Sequence, residues 1–182
     1  VLWDKQQNTI VSNESAEIIR MFNTGFGDLA DNSVDLYPLA LREEIEEVNE
    51  RIYHSFNNGV YRAGFATTQV AYEEACLDVF NALEYIEARL SGAPYIAGNT
   101  LTEADIRLFV TLIRFDLAYH GLFKTNLKQI KDYPNTFAYM KHIYNLPGIA
   151  ETVNIDHIKA GYYSIKALNP TGIVPLGLGN IF

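Results

Sequence analysis

The chain of 182 residues lacks the marks of several protein classes: it has one cysteine, six prolines, 14 basic residues against 22 acidic ones, and no long apolar run. A single cysteine excludes an internal disulfide framework or a cysteine-rich zinc site, and a chain of this length buries enough surface to fold without either. The formal net charge of −8 argues against a nucleic-acid module, which needs clustered Lys and Arg to meet phosphates. The longest uncharged apolar runs, such as Leu108 to Ile113, fall far short of a membrane span, so no membrane insertion is expected. His54, His120, His142 and His157 show no metal-ligand spacing, and no metal is assigned. The opening Val1-Leu2-Trp3-Asp4 has no initiator Met, charged leader or signal-type apolar region, which raises the expectation of further chain upstream.

What is present reads as a mainly helical protein with a small β start. Val1 to Trp3 and Thr9 to Val11 are apolar or β-branched runs around a polar turn, the pattern of a hairpin. A lone two-stranded hairpin is marginal in water, so this one is expected to be a fragment of a larger sheet. Ser12, Asn13 and Ser15 compete as N-caps for a short helix through Ile18, Ile19 and Phe22 that ends near Gly25. Leu41, Ile45, Val48, Ile52 and Phe56 then form an apolar stripe opposite Arg42, Glu43, Glu46, Glu47 and Glu50. This predicts one long amphipathic helix closed by Asn57-Asn58-Gly59. A second stripe runs Tyr72, Cys76, Val79, Leu83, Ile86, Leu90, begun by Thr67 or Thr68 and followed by Gly92, and the two helices are expected to pair antiparallel.

The sharpest local signal is Thr102 with Asp105, a capping-box spacing, flanked by Leu101 and Ile106 at the staple positions. The helix it starts carries Ile106, Leu108, Phe109, Val110, Leu112, Ile113, Phe115 and Leu117. Apolar nearly all round, it is expected to be central and buried. Pro134-Asn135 opens another helix through Phe137, Met140 and Tyr144, ended by Leu146-Pro147-Gly148, and a further turn or two runs to Ser164. The Pro- and Gly-rich stretch from Asn169 to Gly179 is expected to lie extended over the surface.

This order of elements resembles glutathione transferases from the middle of their thioredoxin-like domain onward, and particular strings resemble the Xi class, the glutathionyl-hydroquinone reductases. They are Val1-Leu2-Trp3-Asp4, Ile10 to Arg20, Asn57-Asn58-Gly59-Val60-Tyr61-Arg62-Ala63-Gly64, Leu101 to Phe109, Asp132 to Asn135, Pro147 to Asn154, His157-Ile158-Lys159 before Tyr162-Tyr163, and Asn169 to Ile173. The resemblance implies a transferase-like C-terminal helical bundle over residues 27–182, preceded by the ββα end of a thioredoxin-like glutathione-binding domain over residues 1–26. It implies glutathione as a substrate, aromatic hydroquinone conjugates as partners in the reaction, a homodimer, and a cytoplasmic address with the chloroplast as the alternative. The family's Cys-Pro-Trp motif and its cis-proline would both lie before Val1. The family reads His-Tyr-Tyr where this chain has Gly161-Tyr162-Tyr163, and Gly-Pro where it has Gly177-Leu178. These departures keep a non-catalytic reading in view, in which a transferase-like domain serves as an assembly subunit or aromatic-ligand binder.

The candidate site residues follow. Glu14 and Ser15 stand at a helix start, where unpaired N–H groups and the positive end of the dipole suit a carboxylate. Ordinary capping is the alternative, and the resemblance assigns the pair, with Val1, to glutathione. Tyr61 and Tyr162 are assigned by the resemblance to the hydroquinone pocket, where two phenols would hydrogen-bond the ring hydroxyls and assist the keto–enol step. Simple ring packing is the alternative for either. They are expected to converge on one cleft that borders the Glu14-Ser15 helix start and fits a single ring. Tyr163 is a further pocket candidate, with packing the plainer role. Cys76, in an apolar stripe with no cationic neighbour, reads as a buried structural thiol.

Overall fold

The computed structural model describes residues 1–29 and 33–177. Strands β1 (Leu2–Asp4) and β2 (Thr9–Ser12) pair antiparallel, with Trp3 opposite Ile10 and Asp4 opposite Thr9. The Asp4 carboxylate accepts from the N–H groups of Gln6 and Gln7 and fixes the turn. Helix α1 (Ser15–Thr24) follows directly. Its N-cap is Glu14, which none of the expected caps supplies; Ser15 is the first helical residue, and no side chain caps the end. Ser12, one turn earlier and buried, instead accepts from the Glu14 N–H at 3.0 Å and donates to Glu17 at 2.8 Å, so it pins the strand-to-helix corner rather than the helix end.

The bundle begins with α2 (Arg42–Ile52). Asn57-Asn58-Gly59 does not end this helical run. A single π-turn over Tyr53–Asn57, closed by the Asn58 N–H on the Tyr53 carbonyl at 2.8 Å, leads into α3 (Gly59–Gly64). Tertiary contacts override the local stop signal: Asn57 donates to the Arg107 carbonyl and the Thr111 hydroxyl, and Gly59 lets the chain approach α4 (Gln69–Arg89) so closely that a Cβ there would sit 3.0 Å from Val79. Thr68 caps α4, accepting from the Ala71 N–H, and Gly92 takes the left-handed conformation just past its end. Helix α4 runs antiparallel to the 42–64 segment, as expected. Arg89 near its end pairs with Glu44, the Arg51 guanidinium lies 3.8 Å from the Tyr85 ring centre, and Arg62 reaches Asp78 at 3.0 Å.

At the centre lies α5 (Glu103–Arg114), continued through a second π-turn (Phe115–Tyr119) into α6 (His120–Leu122). Leu108, Phe109, Leu112, Ile113, Phe115 and Leu117 are buried. Val110 departs from the all-round burial that its pattern predicts and is 43% exposed. The capping pair does more than cap. Asp105 accepts from the Thr102 N–H and hydroxyl, from the Ile96 N–H across the preceding loop, and from the Tyr139 hydroxyl of α7 (Pro134–Tyr144). Burial pushes the Asp105 carboxyl up while these donors pull it down. Helix α8 (Ile155–Tyr163), N-capped by Asn154, packs against the second π-turn. Beyond it residues 165–177 form no helix or strand, and Lys159 ties the tail down through the Gly177 carbonyl at 2.9 Å. The end of the expected extended stretch, Leu178 and Gly179, and with it the Gly-Leu departure, lies outside the described residues.

Candidate active site

Tyr61 projects from α3, Tyr162 from the last turn of α8, and Tyr119 from the second π-turn. The Tyr61 and Tyr162 hydroxyls are 2.7 Å apart, Tyr119 and Tyr162 2.6 Å, and Tyr61 and Tyr119 3.3 Å. Each phenol can donate one proton and accept another bond, so the three oxygens form a small relay of interchangeable donors and acceptors. Phe123 stacks on Tyr119 at 5.2 Å and meets Tyr61 edge-on at 5.3 Å. Gly64 permits this approach, since a Cβ there would fall 2.4 Å from the Phe123 ring. Tyr119 is buried, and desolvation together with its bonds to the other phenols pushes its ionisation far up. Tyr162, half-buried, is pushed up to about 12, chiefly by burial, with the hydrogen bond to Tyr119 and, to a smaller extent, the Arg114 guanidinium pulling in the opposite direction. At neutral pH both phenols therefore hold their protons.

Tyr61 and Tyr162 open into a cavity of about 550 Å³ walled by Phe109, Val110, Ile113, Val153 and Ile158, with Arg114, Thr152, Asn154 and His157 as further polar members. That volume falls in the range of drug-sized ligands, larger than the single ring expected from sequence. Glu14 and Ser15 border a second cavity, of about 580 Å³, with Tyr53, Asn57, Asn58, Arg107 and Thr111. The expected single cleft is thus a pair of adjoining cavities that meet at Val110, whose side chain lines both. The exposure of Val110 is explained by this position. The free N–H groups of the first α1 turn and the Arg107 guanidinium bring positive charge to the second cavity.

Val1, 77% exposed, lines neither cavity. Tyr163 is buried and its hydroxyl stands against Gly121, where a Cβ would lie 2.9 Å away, so its observed role is packing. Cys76 is buried, and desolvation raises its thiol, in part offset by a hydrogen bond with Tyr72. Among the described residues no group of three or more His, Cys, Asp or Glu is placed to hold a metal ion, and no helix is long and apolar enough to cross a membrane. Sequence reasoning missed Tyr119, Arg107 and Arg114. Tyr119 lies four residues after Phe115, in phase with the buried stripe, and a tyrosine that continues such a stripe is the available signal.

Residues 69–142 match the C-terminal domain of glutathione S-transferases. Those residues thus carry the C-terminal domain of that class, and the chain is similar to a Xi-class transferase of known structure, glutathione transferase Xi 1 from Trametes versicolor, at 50% identity with a TM-score of 0.94 over 97% of this chain and 63% of that one. The chain is 55% identical over 178 residues to glutathionyl-hydroquinone reductase YqjG of Escherichia coli (strain K12), which covers 97% of this chain and 54% of the relative. Glutathionyl-hydroquinone reductase PcpF of Sphingobium chlorophenolicum is 51% identical, covering 97% and 57%. The glutathione-bound structure of YqjG superimposes with a TM-score of 0.93 over 97% of this chain and 57% of that one. The chain spans about half the length of the curated relatives it matches.

Proposed function

We propose that these residues are the larger part of a glutathionyl-hydroquinone reductase that binds glutathione in the Glu14-Ser15 cavity and the hydroquinone ring in the tyrosine cavity. The observation that carries this reading is the hydrogen bonding of the Tyr61, Tyr119 and Tyr162 hydroxyls to one another, with Tyr61 and Tyr162 lining a cavity whose neighbour, shared at Val110, borders the α1 N-terminus. Residues 1–26 belong in this reading to the thioredoxin-like glutathione domain and residues 27–182 to the helical domain. The homodimer and the cytoplasmic location implied by the resemblance are kept with it.

In the reaction a cysteine thiolate attacks the sulfur of the glutathionyl-hydroquinone in its keto form. The sulfur–sulfur bond forms, the carbon–sulfur bond breaks, and the electron pair passes into the ring as an enolate that takes up a proton. A second glutathione resolves the mixed disulfide, giving glutathione disulfide and the free thiol. Cys76, buried with a raised thiol, is no candidate for the attacking group, so the nucleophile is taken from outside residues 1–182. The phenols supply what the ring needs: donors to the oxygen on which charge develops, and a relay that returns a proton. The non-catalytic reading gains no observation of its own, because packing alone gives no reason for three phenols to share hydrogen bonds beside a cavity.

Isothermal calorimetry of glutathione on the full-length protein tests the first half of the assignment. Replacing Glu14 and Ser15 together by Ala should weaken binding about tenfold, the scale of losing a charge-assisted hydrogen bond; unchanged affinity removes the pair from the site.

A further inference from the structure

We propose that the tyrosine cavity selects aromatic substrates that carry an acidic substituent, a ring carboxylate above all, with Arg114 as the residue that holds the acid. This rests on the hydroquinone reading for the ring and on independent observations for the acid. The first is charge. The chain has 22 acidic residues and a net charge of −8, yet among the described residues no Asp or Glu lines this cavity, while Arg114 and His157 do. In a cavity free of carboxylates a bound anion meets no repulsion from the walls, whereas the adjoining cavity carries Glu14.

The second observation is the state of Arg114. One guanidinium nitrogen donates to the Val110 carbonyl at 2.6 Å, which anchors the side chain at the end of α5. No acidic residue pairs with it in an ion pair among the described residues, in contrast to Arg20, Arg62, Arg89 and Arg107. An anchored guanidinium with free N–H edges on a cavity wall is preorganised for a planar carboxylate, which it can take in a bidentate fork. Arg114 and Tyr162 line the same cavity, so the cation shares it with the end where the ring hydroxyls bind in this reading. The third observation is size. About 550 Å³ is more than one ring fills, and Gly161 keeps the wall beside Tyr162 open, with nothing within 4 Å of where a Cβ would stand. The space beyond the ring is thus available to a substituent that reaches Arg114.

The test uses two free ligands of nearly the same shape, 2,5-dihydroxybenzoate and 2,5-dihydroxybenzamide, which differ in the charge and hydrogen-bonding of one group, titrated into the full-length protein near pH 7 by calorimetry. The carboxylate should bind at least about tenfold more tightly than the amide, the scale of one charge-assisted hydrogen-bond pair, and Arg114→Gln should bring that ratio close to one. Equal affinities in the unaltered protein, a ratio that survives in the Gln variant, or no binding of either ligand overturns the proposal. If the Gln variant binds neither, Arg114→Lys decides, since it keeps the charge and must keep a preference for the carboxylate; a Lys variant without that preference overturns it equally. These ligands carry no sulfur. Turnover of a glutathionyl-hydroquinone, measured separately, can therefore fail while the selectivity stands, and the reverse.

Discussion

Residues 1–26 and the helical bundle obey the same local rules but are held in different ways. In the hairpin and α1 no apolar side chain is buried, and Val1, Trp3, Ile10, Val11, Phe22 and Phe26 are exposed. In the bundle, Ile45, Val48, Phe56, Val79, Leu83, Ile86, Leu108 and Ile143 are fully removed from water. The first region is tied on by polar contacts. Arg20 makes a two-pronged pair with Glu103, at 2.8 and 3.1 Å, reaches Glu46, and lies 4.1 Å from the Tyr37 ring centre; Asn23 receives the Leu36 N–H. Correct local structure can thus form without a core of its own, but its position then depends on a few directed bonds. Glu14 and Ser15 are positioned by that kind of bond, and the tyrosines by packing.

The largest effect is expected at the bundle's own polar hub. Asp105→Ala strips the acceptor from buried donors on Ile96, Thr102 and Tyr139 at once and should cost about 3 kcal/mol, well above the ~1 kcal/mol of an ordinary cap, read as a shift in the denaturation midpoint. A loss no larger than a cap's would mean that the bundle does not lean on this residue. Arg20→Ala should cost about 2 kcal/mol, held below the full cost of breaking a buried pair because the Arg side chain is 35% exposed and Asn49 and Arg107 stay near Glu103. Hydrogen exchange should show where that loss falls: faster in residues 15–24 and nearly unchanged in 104–113. A uniform change would erase the contrast between the regions. Cys76→Ala, a small volume change in the core, should cost about 1 kcal/mol and leave glutathione binding untouched.

The smallest effect is one of pH. The folded Tyr119 and Tyr162 hold their protons more firmly than free tyrosine, so the stability they contribute is whole below pH ~10 and is lost as pH rises through their folded values. Absorbance titration should show them ionising after the exposed tyrosines. Ionisation in step with those would contradict the buried relay.

Most of the bundle was legible because its signals repeat. The stripes through Ile45, Val48, Ile52 and through Cys76, Val79, Leu83 name the faces that the structure buries, and Thr102 with Asp105 marks the start of the central helix. Sequence failed where a tertiary contact outweighed a local cue. Asn57-Asn58-Gly59 reads as a stop, yet Asn57 spends its side chain on α5 and Gly59 its missing Cβ on Val79. The π-turn over Tyr53–Asn57 also breaks the 3.6-residue phase, so that Tyr61 cannot be placed by extending the stripe that ends at Phe56. Tyr61 and Tyr162 were singled out by resemblance, and Glu14 and Ser15 by resemblance added to their place at a helix start. The division into two cavities at Val110 has no signal in the sequence, because exposure of one valine on a buried helix depends on what faces it.

The central claim is that the phenol relay serves the ring and not glutathione. Steady-state turnover of a glutathionyl-hydroquinone by the full-length protein, measured beside glutathione affinity for Tyr61→Phe and Tyr162→Phe, tests it most directly. Each change removes only a hydroxyl, so turnover should fall by about 10²-fold, the lower end of what general acid–base assistance contributes, while glutathione affinity stays within about twofold, a difference worth roughly 0.4 kcal/mol. Turnover within a few-fold of the unaltered protein in both variants, or a loss of glutathione affinity as large as the loss of turnover, would contradict the account.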